Sequence, residues 1–146
     1  MSRRAARARG FSLLELMIAC AIVGILAAIA LPAYRQYVLQ GNRTDAIKAL
    51  AFYQQALERC YSQNFTYVNA DPTPCPAAPG TTTTTTNNDY SLTFAINPTS
   101  YLLTATAIGT QAPDTTCHVF TITQAGTQAA QDTSNNDQTQ TCWGGH

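Results

Sequence analysis

An apolar run from Phe11 to Leu31 dominates the N-terminal part of the chain, and it contains one charged side chain, Glu15. About 20 apolar residues are needed for a helix to cross the hydrocarbon of a bilayer, so the run predicts a membrane-spanning helix. An ionised side chain inside such a helix costs roughly 2.5 to 3.5 kcal/mol on insertion scales. A helix that served only as an anchor would not need this charge, so Glu15 is a candidate functional residue.

Basic residues precede the apolar run and none follows it before Arg35. The four that precede it are Arg3, Arg4, Arg7 and Arg9. By the positive-inside rule, this asymmetry places the N-terminus on the cytoplasmic side of the membrane. The C-terminal part of the chain is then predicted to be exported.

Residues 9 to 18 read Arg-Gly-Phe-Ser-Leu-Leu-Glu-Leu-Met-Ile. This junction resembles the processing site of type IV prepilins and of the related type II secretion pseudopilins. The resemblance implies that a dedicated prepilin peptidase cuts after Gly10 and that the new N-terminal residue, Phe11, is N-methylated. It also implies that Glu15 is an assembly contact, because in an apolar filament core it would pair with the N-terminal amine of a neighbouring subunit. Interaction with its own helix N-terminus, worth about 0.3 to 1 kcal/mol, is compatible with that pairing.

Two other export signals share part of this pattern. A secretory signal also has a basic start and an apolar middle, and Ala28-Ile29-Ala30 could serve as its cleavage site. However, a carboxylate lies inside the apolar segment, and the helical pattern continues beyond Ala30. A lipoprotein signal with Cys20 as the lipidated residue would leave almost no apolar run before it. The prepilin interpretation therefore fits best.

Gly24 and Pro32 are expected to weaken the N-terminal helix. Glycine lowers helix propensity, and proline removes one backbone hydrogen bond and disturbs the turn before it. Both residues also stand where many pilins of the IVa type have a helix-weakening glycine and proline. The resemblance implies that the stretch between them loses helical order in assembled pili.

The helical pattern continues beyond Pro32 to about Gln63. Apolar residues recur there at spacings of three and four, namely Ala46, Leu50, Tyr53, Leu57 and Cys60 or Tyr61. At 1.5 Å per residue, a helix from Phe11 to Gln63 would be about 80 Å long, which exceeds the size of a small domain. Half of it must therefore project from whatever the other half packs against, as in a filament subunit.

From Asn64 onward, Thr, Asn, Gln, Pro and Asp dominate the composition, and three strands are predicted. Residues 90–96 alternate apolar with polar or small side chains, and residues 101–108 resume after an Asn97-Pro98-Thr99-Ser100 turn, which predicts a hairpin. Residues 118–123 supply a third strand, with His118 as an ordinary strand residue. An antiparallel sheet of these strands would bury its apolar face on the C-terminal half of the helix.

The segment from Asp71 to Asn88 is predicted to be a long irregular connection. It contains four prolines and the run Thr81 to Thr86. The threonines are expected to be solvated, with hydroxyl-linked glycans as the alternative.

These elements predict an α+β, pilin-like fold in which a long N-terminal helix packs on a small antiparallel sheet. We expect residues 1–10 to be a leader peptide and residues 11–32 to form the transmembrane and filament-core helix. Residues 33–63 would continue as an amphipathic helix into the head. Residues 64–146 would form the globular head with its proline- and threonine-rich loop.

Of the five cysteines, Cys20 lies in the apolar run, and the other four belong to the exported part, where disulfides persist. Four cysteines allow three pairings. We favour Cys60 with Cys75, which would tie the helix end to the proline-rich loop, and Cys117 with Cys142, which would close the C-terminal segment over the sheet. Each closure would be worth roughly 3 kcal/mol in the chain-entropy model. The second pair, flanked by Asp114-Thr115-Thr116 and Trp143, also resembles minor pilins of the PilE type.

No catalytic, metal or cofactor site is predicted. Cys117-His118 and His146 lack any recognised zinc spacing, and the sequence has no Cys-x-x-Cys. It also has no Gly-x-Ser-x-Gly elbow, phosphate loop or His-Glu-x-x-His helix. Asp132 and Asp137 form too sparse a set for calcium. The sequence therefore predicts a protein that is not an enzyme.

The formal net charge of zero conceals an uneven distribution of charge along the chain. Cleavage after Gly10 would leave four basic residues against eight acidic ones, a charge near minus four, and no Lys or Arg follows Arg59. Some small pilins with a similar C-terminal disulfide region are DNA receptors in natural transformation. However, Lys and Arg contacts to phosphate supply most DNA affinity, so direct nucleic-acid binding is disfavoured here.

The predicted function is structural: a type IV pilin, of the minor class, that assembles into a surface filament for adhesion, twitching motility or DNA uptake. The resemblance implies four partners: the prepilin peptidase, the inner-membrane assembly platform, the membrane and other pilins. The precursor would be a single-pass inner-membrane protein, and the assembled form would be extracellular. A type II secretion pseudopilin and a pilus-borne DNA receptor are the alternatives.

Overall fold

A long helix and a five-stranded sheet make up most of the computed structural model, which describes residues 12–68, Cys75 and residues 80–144. The chain divides into two compact units, one ending at Tyr37 and one extending from Val38 to His146. Helix α1 spans Leu13–Asn64 and contributes residues to both. The other elements are β1 (Thr82–Thr84), β2 (Tyr90–Ile96), β3 (Tyr101–Ala107), a 3-10 turn (Gly109–Gln111), β4 (Val119–Thr123), β5 (Gln128–Gln131) and α2 (Thr139–Trp143).

The first unit is notable for the exposed apolar surface of α1. Its exposed large side chains are Leu13, Leu14, Leu16, Met17, Ile18, Ile22, Val23, Ile25, Leu26, Ile29 and Leu31. By length and composition, α1 is able to cross a membrane, and none of the residues in its most apolar window is buried within the protein. An apolar surface this continuous is expected to be covered by lipid or by other protein.

The second unit contains an antiparallel sheet in which each strand pairs with the next along the chain. The predicted hairpin is confirmed, since β2 and β3 pair from Tyr90 opposite Ala107 to Ile96 opposite Tyr101. The predicted α+β class is also confirmed.

The core of the second unit lies between α1 and one face of the sheet. Ala46, Leu50, Leu57 and Cys60 are the buried residues of α1, in agreement with the predicted helical periodicity. They share a cluster with the buried side chains of β2, β3 and β4, namely Tyr90, Leu92, Phe94, Ile96, Tyr101, Leu103, Ala105, Ala107, Phe120 and Ile122. Burying a leucine fully contributes about 1.5 to 3 kcal/mol, so these contacts hold the helix to the sheet.

The predicted irregular connection over residues 71–88 is wrong for Thr82–Thr84, which form edge strand β1 and pair with Ser91 to Thr93 of β2. Threonine is β-branched and packs well in a pleated sheet, so a threonine run is as compatible with a strand as with a solvated loop. Thr85 is buried, and its hydroxyl accepts a hydrogen bond from the Tyr90 amide at 3.1 Å.

The three predicted strands are present as β2, β3 and β4, but the prediction was incomplete, because β1 and β5 complete a sheet of five. The sequence of β5 is Gln-Ala-Ala-Gln, which lacks the alternation of apolar and polar residues that identifies a strand. It is a strand because it pairs with β4, and that contact is not visible in the local sequence.

Candidate functional site

Glu15 lies in the first turn of α1 with its side chain exposed. Its neighbours Leu14 and Leu16 are exposed as well, so the carboxylate stands on an apolar surface. Gly10 and Phe11, the predicted cleavage and methylation residues, lie outside the described part of the chain. An anion in the first helical turn interacts favourably with the helix dipole.

Gly24 and Pro32 both lie inside α1. A Cβ added at Gly24 would meet no atom within 4 Å, so nothing in this unit requires glycine there for space. Pro32 has no amide hydrogen, so it cannot donate the bond that a helical residue normally makes to the carbonyl four positions earlier. Helix α1 continues without interruption through both residues, so the predicted weakening at Gly24 and Pro32 stays a prediction.

Two disulfides join the favoured cysteines, Cys60 with Cys75 and Cys117 with Cys142. Their Cα atoms are 5.5 and 5.7 Å apart, respectively. The first ties the last turns of α1 to the following segment. The second ties the segment before β4 to α2, across a sequence separation of 25 residues.

A buried ion pair links α1 to the segment before the second disulfide. The Arg43 guanidinium donates to both carboxylate oxygens of Asp114, at 2.6 Å and 2.9 Å. The Asp114 side chain is only 3% exposed and that of Arg43 is 11% exposed. Planar two-point pairing of this kind is stronger than a single hydrogen bond and fixes the geometry of both groups. The pair therefore joins α1 to the segment that leads to Cys117.

Asp114 also organises the backbone leading to Cys117. Its Oδ1 accepts the amide hydrogens of Thr116 at 3.2 Å and Cys117 at 3.1 Å. Burial raises the pKa of Asp114, but the hydrogen bonds from Arg43 and from these amides outweigh burial and hold the pKa below its ordinary value. The carboxylate thus stays ionised and positions the disulfide.

Sequence reasoning missed Gln111 and assigned no contact to Arg43. Gln111 is fully buried, and its amide donates to the Leu39 carbonyl and to Asp114, both at 3.0 Å. Gln111 and Leu39 are 72 positions apart. No local pattern in the sequence could have indicated this interaction.

A second polar cluster lies at the end of α1, around Glu58. Its carboxylate accepts hydrogen bonds from the Tyr101 hydroxyl at 2.8 Å and from the Tyr67 hydroxyl at 3.1 Å. The Tyr67 ring stacks on Tyr61 with centroids 4.5 Å apart and meets Tyr101 edge-on at 4.9 Å. The cluster joins the helix, the segment after it and β3.

A groove of about 510 Å³ lies between α1 and the β1–β2 edge of the sheet. It is lined by Asp45, Lys48, Ala49, Phe52, Tyr53, Thr84, Thr85, Thr86, Asn87 and Leu92. The Asn87 amide donates to Asp45 across it. Phe52 is 64% exposed, so an apolar ring and a cation both face solvent here.

In the described ranges, no group of three or more His, Cys, Asp or Glu side chains is placed to hold a metal ion. His118 lies just before β4, where its amide donates to the Gln131 carbonyl at 3.0 Å. Asp132 and Asp137 instead accept hydrogen bonds from neighbours in their own loop. His118, Asp132 and Asp137 therefore take part in hydrogen bonds within the second unit.

The model of one protein family, described as "Type IV minor pilin ComP, DNA uptake sequence receptor", matches residues 32–121, which is more than half of the chain. The chain belongs to this family. A second model, the prokaryotic N-terminal methylation motif, matches residues 5–31 of the minor pilin. The two matches are adjacent and together cover both the predicted processing site and most of the predicted head.

Individual relatives resemble the minor pilin over part of its length. It is 48% identical over 54 residues to fimbrial protein EcpC of Eikenella corrodens, which covers 37% of this chain and 35% of that protein. It is 45% identical over 60 residues to the type IV major alpha-pilin of Moraxella bovis, which covers 41% and 38% respectively. The chain thus spans about a third of the length of these curated relatives.

One solved structure, a type IV pilin from Shewanella oneidensis, is 25% identical to the minor pilin with a TM-score of 0.45. The similarity covers 62% of this chain and 89% of that chain.

Removing the second disulfide tests its contribution to the stability of the head. We expect Cys117→Ser with Cys142→Ser to lower the free energy of unfolding by about 2 to 5 kcal/mol. The measurement is urea unfolding of the full chain in detergent, followed by fluorescence of Trp143, the only tryptophan. Its indole donates to the Ala129 carbonyl at 2.9 Å, so it reports on packing near this disulfide. Cys20→Ser is the matched control, and equal urea midpoints for both variants would contradict the expectation.

The Glu58 cluster predicts a loss of stability at high pH. Burial, followed by the Glu58 hydrogen bond and charge, raises the pKa of Tyr67 from 10.0 to about 12. The folded state favours the neutral phenol of Tyr67. The contribution of this residue to the free energy of unfolding is therefore complete below pH 10 and is lost as the pH rises through about 12. Ultraviolet titration of the pilin should show a late phenolate step that Tyr67→Phe makes smaller but does not remove, because burial also raises the pKa of Tyr90 and Tyr101. Tyr37→Phe, a control outside the cluster, should leave that step at its full size.

Proposed function

We propose that the minor pilin is a structural subunit of a type IV pilus. The adjacency of the methylation motif, residues 5–31, and the minor-pilin match, residues 32–121, carries this proposal. The precursor is held in the inner membrane by one helix, is processed by the prepilin peptidase, and enters an extracellular filament. That filament serves adhesion, twitching motility or DNA uptake, and the subunit performs no catalysis of its own.

The proposed processing removes residues 1–10 and methylates Phe11. Residues 11–32 then form the filament-core helix, residues 33–63 continue it into the head, and residues 64–146 complete the head. The exposed apolar surface of α1 supports a core position, because packing among other pilin helices would cover it. The inner-membrane assembly platform is the partner that moves the subunit from membrane to filament.

Mass spectrometry of sheared filaments tests this proposal. Trypsin would leave the chain after Arg59 as one fragment, because no Lys or Arg follows that residue, so chymotrypsin is the better protease for the head. We expect head peptides in the sheared fraction and an N-terminal peptide that begins with methylated Phe11. In a strain without the prepilin peptidase, the chain should stay in the membrane with residues 1–10 attached. A chain absent from sheared filaments of the wild-type strain would refute the proposal.

DNA reception is a second candidate function, favoured by the description of the matching family. The number of Lys and Arg side chains available to bind phosphate limits the DNA affinity of the head. Arg43 is already paired with Asp114, so Lys48 and Arg59 are the Lys and Arg side chains of the second unit that remain free to bind phosphate. The logarithm of DNA affinity falls with the logarithm of salt concentration, and removing one phosphate-binding cation should make that slope shallower by about 0.9.

Filter binding with the full chain in detergent at low salt distinguishes the two candidates. For a receptor, we expect submicromolar, salt-sensitive affinity for DNA that falls in a Lys48→Met, Arg59→Met double variant. Affinity that is weak at low salt would remove this candidate and leave the structural role. Strong affinity that is unchanged in the double variant would instead exclude Lys48 and Arg59 as the phosphate-binding residues.

A further inference from the structure

The groove between α1 and the β1–β2 edge has a lining whose charges balance. Among the residues that line it, the charged ones are Asp45 and Lys48, one anion and one cation. Neither belongs to an ion pair, since Arg43–Asp114 is the one ion pair in the part of the chain that the structure describes. A groove without net charge has no net electrostatic attraction for the phosphates of nucleic acid or for a charged protein surface. Its charge balance therefore favours a neutral ligand.

The ring of Phe52 gives the groove an apolar contact surface. It is 64% exposed. The ring meets Tyr53 edge-on with centroids 5.3 Å apart, and Tyr53 packs against Phe94 of β2 at 4.6 Å. Phe52 is thus supported from the core while most of its ring is open to solvent. The face of an aromatic ring is electron-rich, so it attracts C–H groups with partial positive charge, such as those of a sugar ring.

Polar groups that can bind hydroxyls surround this ring. The Asn87 amide donates to one carboxylate oxygen of Asp45, and the described residues donate no hydrogen bond to the other oxygen. Lys48 and Thr86 are exposed. An ammonium group donates hydrogen bonds, and a threonine hydroxyl both donates and accepts them. The groove therefore offers donors and acceptors together, as a ligand with several hydroxyl groups requires.

The turn between β1 and β2 holds its side of the groove in one conformation. The Thr85 amide donates to the Tyr90 carbonyl at 2.9 Å, and the Tyr90 amide donates to the Thr85 hydroxyl at 3.1 Å. The Asn88 amide donates to the Thr85 carbonyl at 2.9 Å, and the Thr84 hydroxyl donates to the Asn88 side-chain oxygen at 2.9 Å. A preformed site loses less free energy to ordering when a ligand binds. The volume of about 510 Å³ also lies within the range of roughly 300 to 1,000 Å³ that small-molecule sites occupy.

We propose that this groove binds a neutral saccharide. A saccharide has no charge, an apolar face of C–H groups and hydroxyls that both donate and accept, and the groove has a feature to match each. One sugar ring lies against Phe52, and its hydroxyls bind the polar side chains of Asp45, Lys48, Thr86 and Asn87. The proposal rests on the pilus-subunit function and specifies the ligand class through which the filament adheres.

Saturation-transfer difference NMR on the full chain tests the binding. The chain is kept in a phosphocholine detergent, because maltoside and glucoside detergents would compete for the groove. The neutral probes are galactose, N-acetylglucosamine, lactose and maltose, and the charged probes are sialic acid and a DNA oligonucleotide. We expect saturation transfer to at least one neutral probe. Its affinity should change less than about twofold between about 50 and 500 mM salt, since a neutral ligand releases no counterions.

Two exposed phenylalanines test the apolar contact. Phe52→Ala should lower the affinity for the bound saccharide about tenfold, because the ring is lost. Phe65→Ala is the matched control and should leave the affinity unchanged, since Phe65 is 81% exposed, lies directly after α1 and does not line the groove. Phe52→Trp keeps an aromatic face and should retain binding. Both rings are exposed, so the urea midpoints of these variants should stay close to that of the original chain.

Two threonines at the same edge of the sheet test the polar contacts. Thr86→Val removes a hydroxyl that lines the groove and should lower the affinity about three- to tenfold. Thr82→Val removes an exposed hydroxyl of β1 that does not line the groove, and it should leave the affinity unchanged.

Three outcomes would overturn the saccharide site. They are saturation transfer to none of the neutral probes, binding confined to sialic acid or DNA, and equal losses of affinity in Phe52→Ala and Phe65→Ala. Binding confined to DNA would assign the groove to the receptor function instead. Failure of the pilus-subunit proposal is recognised separately, because the purified chain would still bind the saccharide while sheared filaments would lack the chain.

Discussion

Glu15→Ala should leave cleavage between Gly10 and Phe11 largely intact and reduce incorporation into sheared pili by about a hundredfold or more. In the proposed filament core, the variant would leave the cationic amine of Phe11 in a neighbouring subunit buried without a partner. Removing one member of a buried ion pair costs about 3 to 5 kcal/mol, which corresponds to a large loss of assembled subunit. The exposed position of Glu15 in the first turn of α1 leaves its carboxylate free for this pairing.

Immunoblots of whole cells and of sheared pili measure the two steps separately. The shorter processed form should be present in cells expressing Glu15→Ala, while the sheared fraction should contain almost none. Glu15→Gln is the matched control for shape, since it keeps the size and hydrogen bonding of the side chain and removes only its charge. Normal incorporation of Glu15→Gln would contradict charge pairing, and loss of cleavage in Glu15→Ala would move the role of Glu15 to processing.

Arg43→Met is expected to lower the free energy of unfolding by about 3 to 5 kcal/mol. The variant keeps much of the apolar stem of the side chain but leaves the Asp114 carboxylate buried without its cation. Lys48→Met is the matched control, because it removes the same charge from an exposed position one to two turns along α1. Its effect should lie within about 0.5 kcal/mol. Urea unfolding of both full-length variants in detergent makes the comparison, and equal midpoints would contradict the expectation.

Two further measurements isolate the charge from the packing. Adding Asp114→Asn to Arg43→Met should recover part of the lost stability, because a neutral amide is less costly to bury than an unpaired carboxylate. The effect of Arg43→Met should also shrink in acid. The folded-state pKa of Asp114 lies below 3.8, so the ion pair stabilises fully above that value and its contribution is lost as the pH falls through the folded-state pKa.

The elements that depend on local periodicity could be predicted from the sequence. Leu50 and Leu57 recur at helical spacing, and the alternation in residues 90–96 gives one buried and one open face of β2. In both cases the signal and the structure arise from the same few neighbouring residues. The N-terminal methylation motif, which matches residues 5–31, is equally local, because it is a short run of consecutive residues.

The contacts that join distant segments could not be predicted. Arg43 and Asp114 are 71 positions apart, and nothing near either residue indicates the other. Strand β5 is a further case, since its Gln-Ala-Ala-Gln sequence becomes a strand through pairing with β4. The Thr82–Thr84 edge strand was missed because composition identifies polarity rather than backbone conformation. In all three cases, burial and contacts between segments that are distant in the sequence determined the structure.

The Arg43–Asp114 pair also sets where a recombinant head fragment can begin. A head fragment is easier to handle when the apolar part of α1 is removed. Such a fragment would begin at Pro32 or at a residue after it. A fragment that starts after Arg43 would lose both the guanidinium and the Leu39 carbonyl that Gln111 contacts, leaving buried polar groups unpaired. Fragments made for crystallisation or binding assays should therefore retain the turn of α1 from Leu39 to Arg43, although this turn resembles a linker that could be removed.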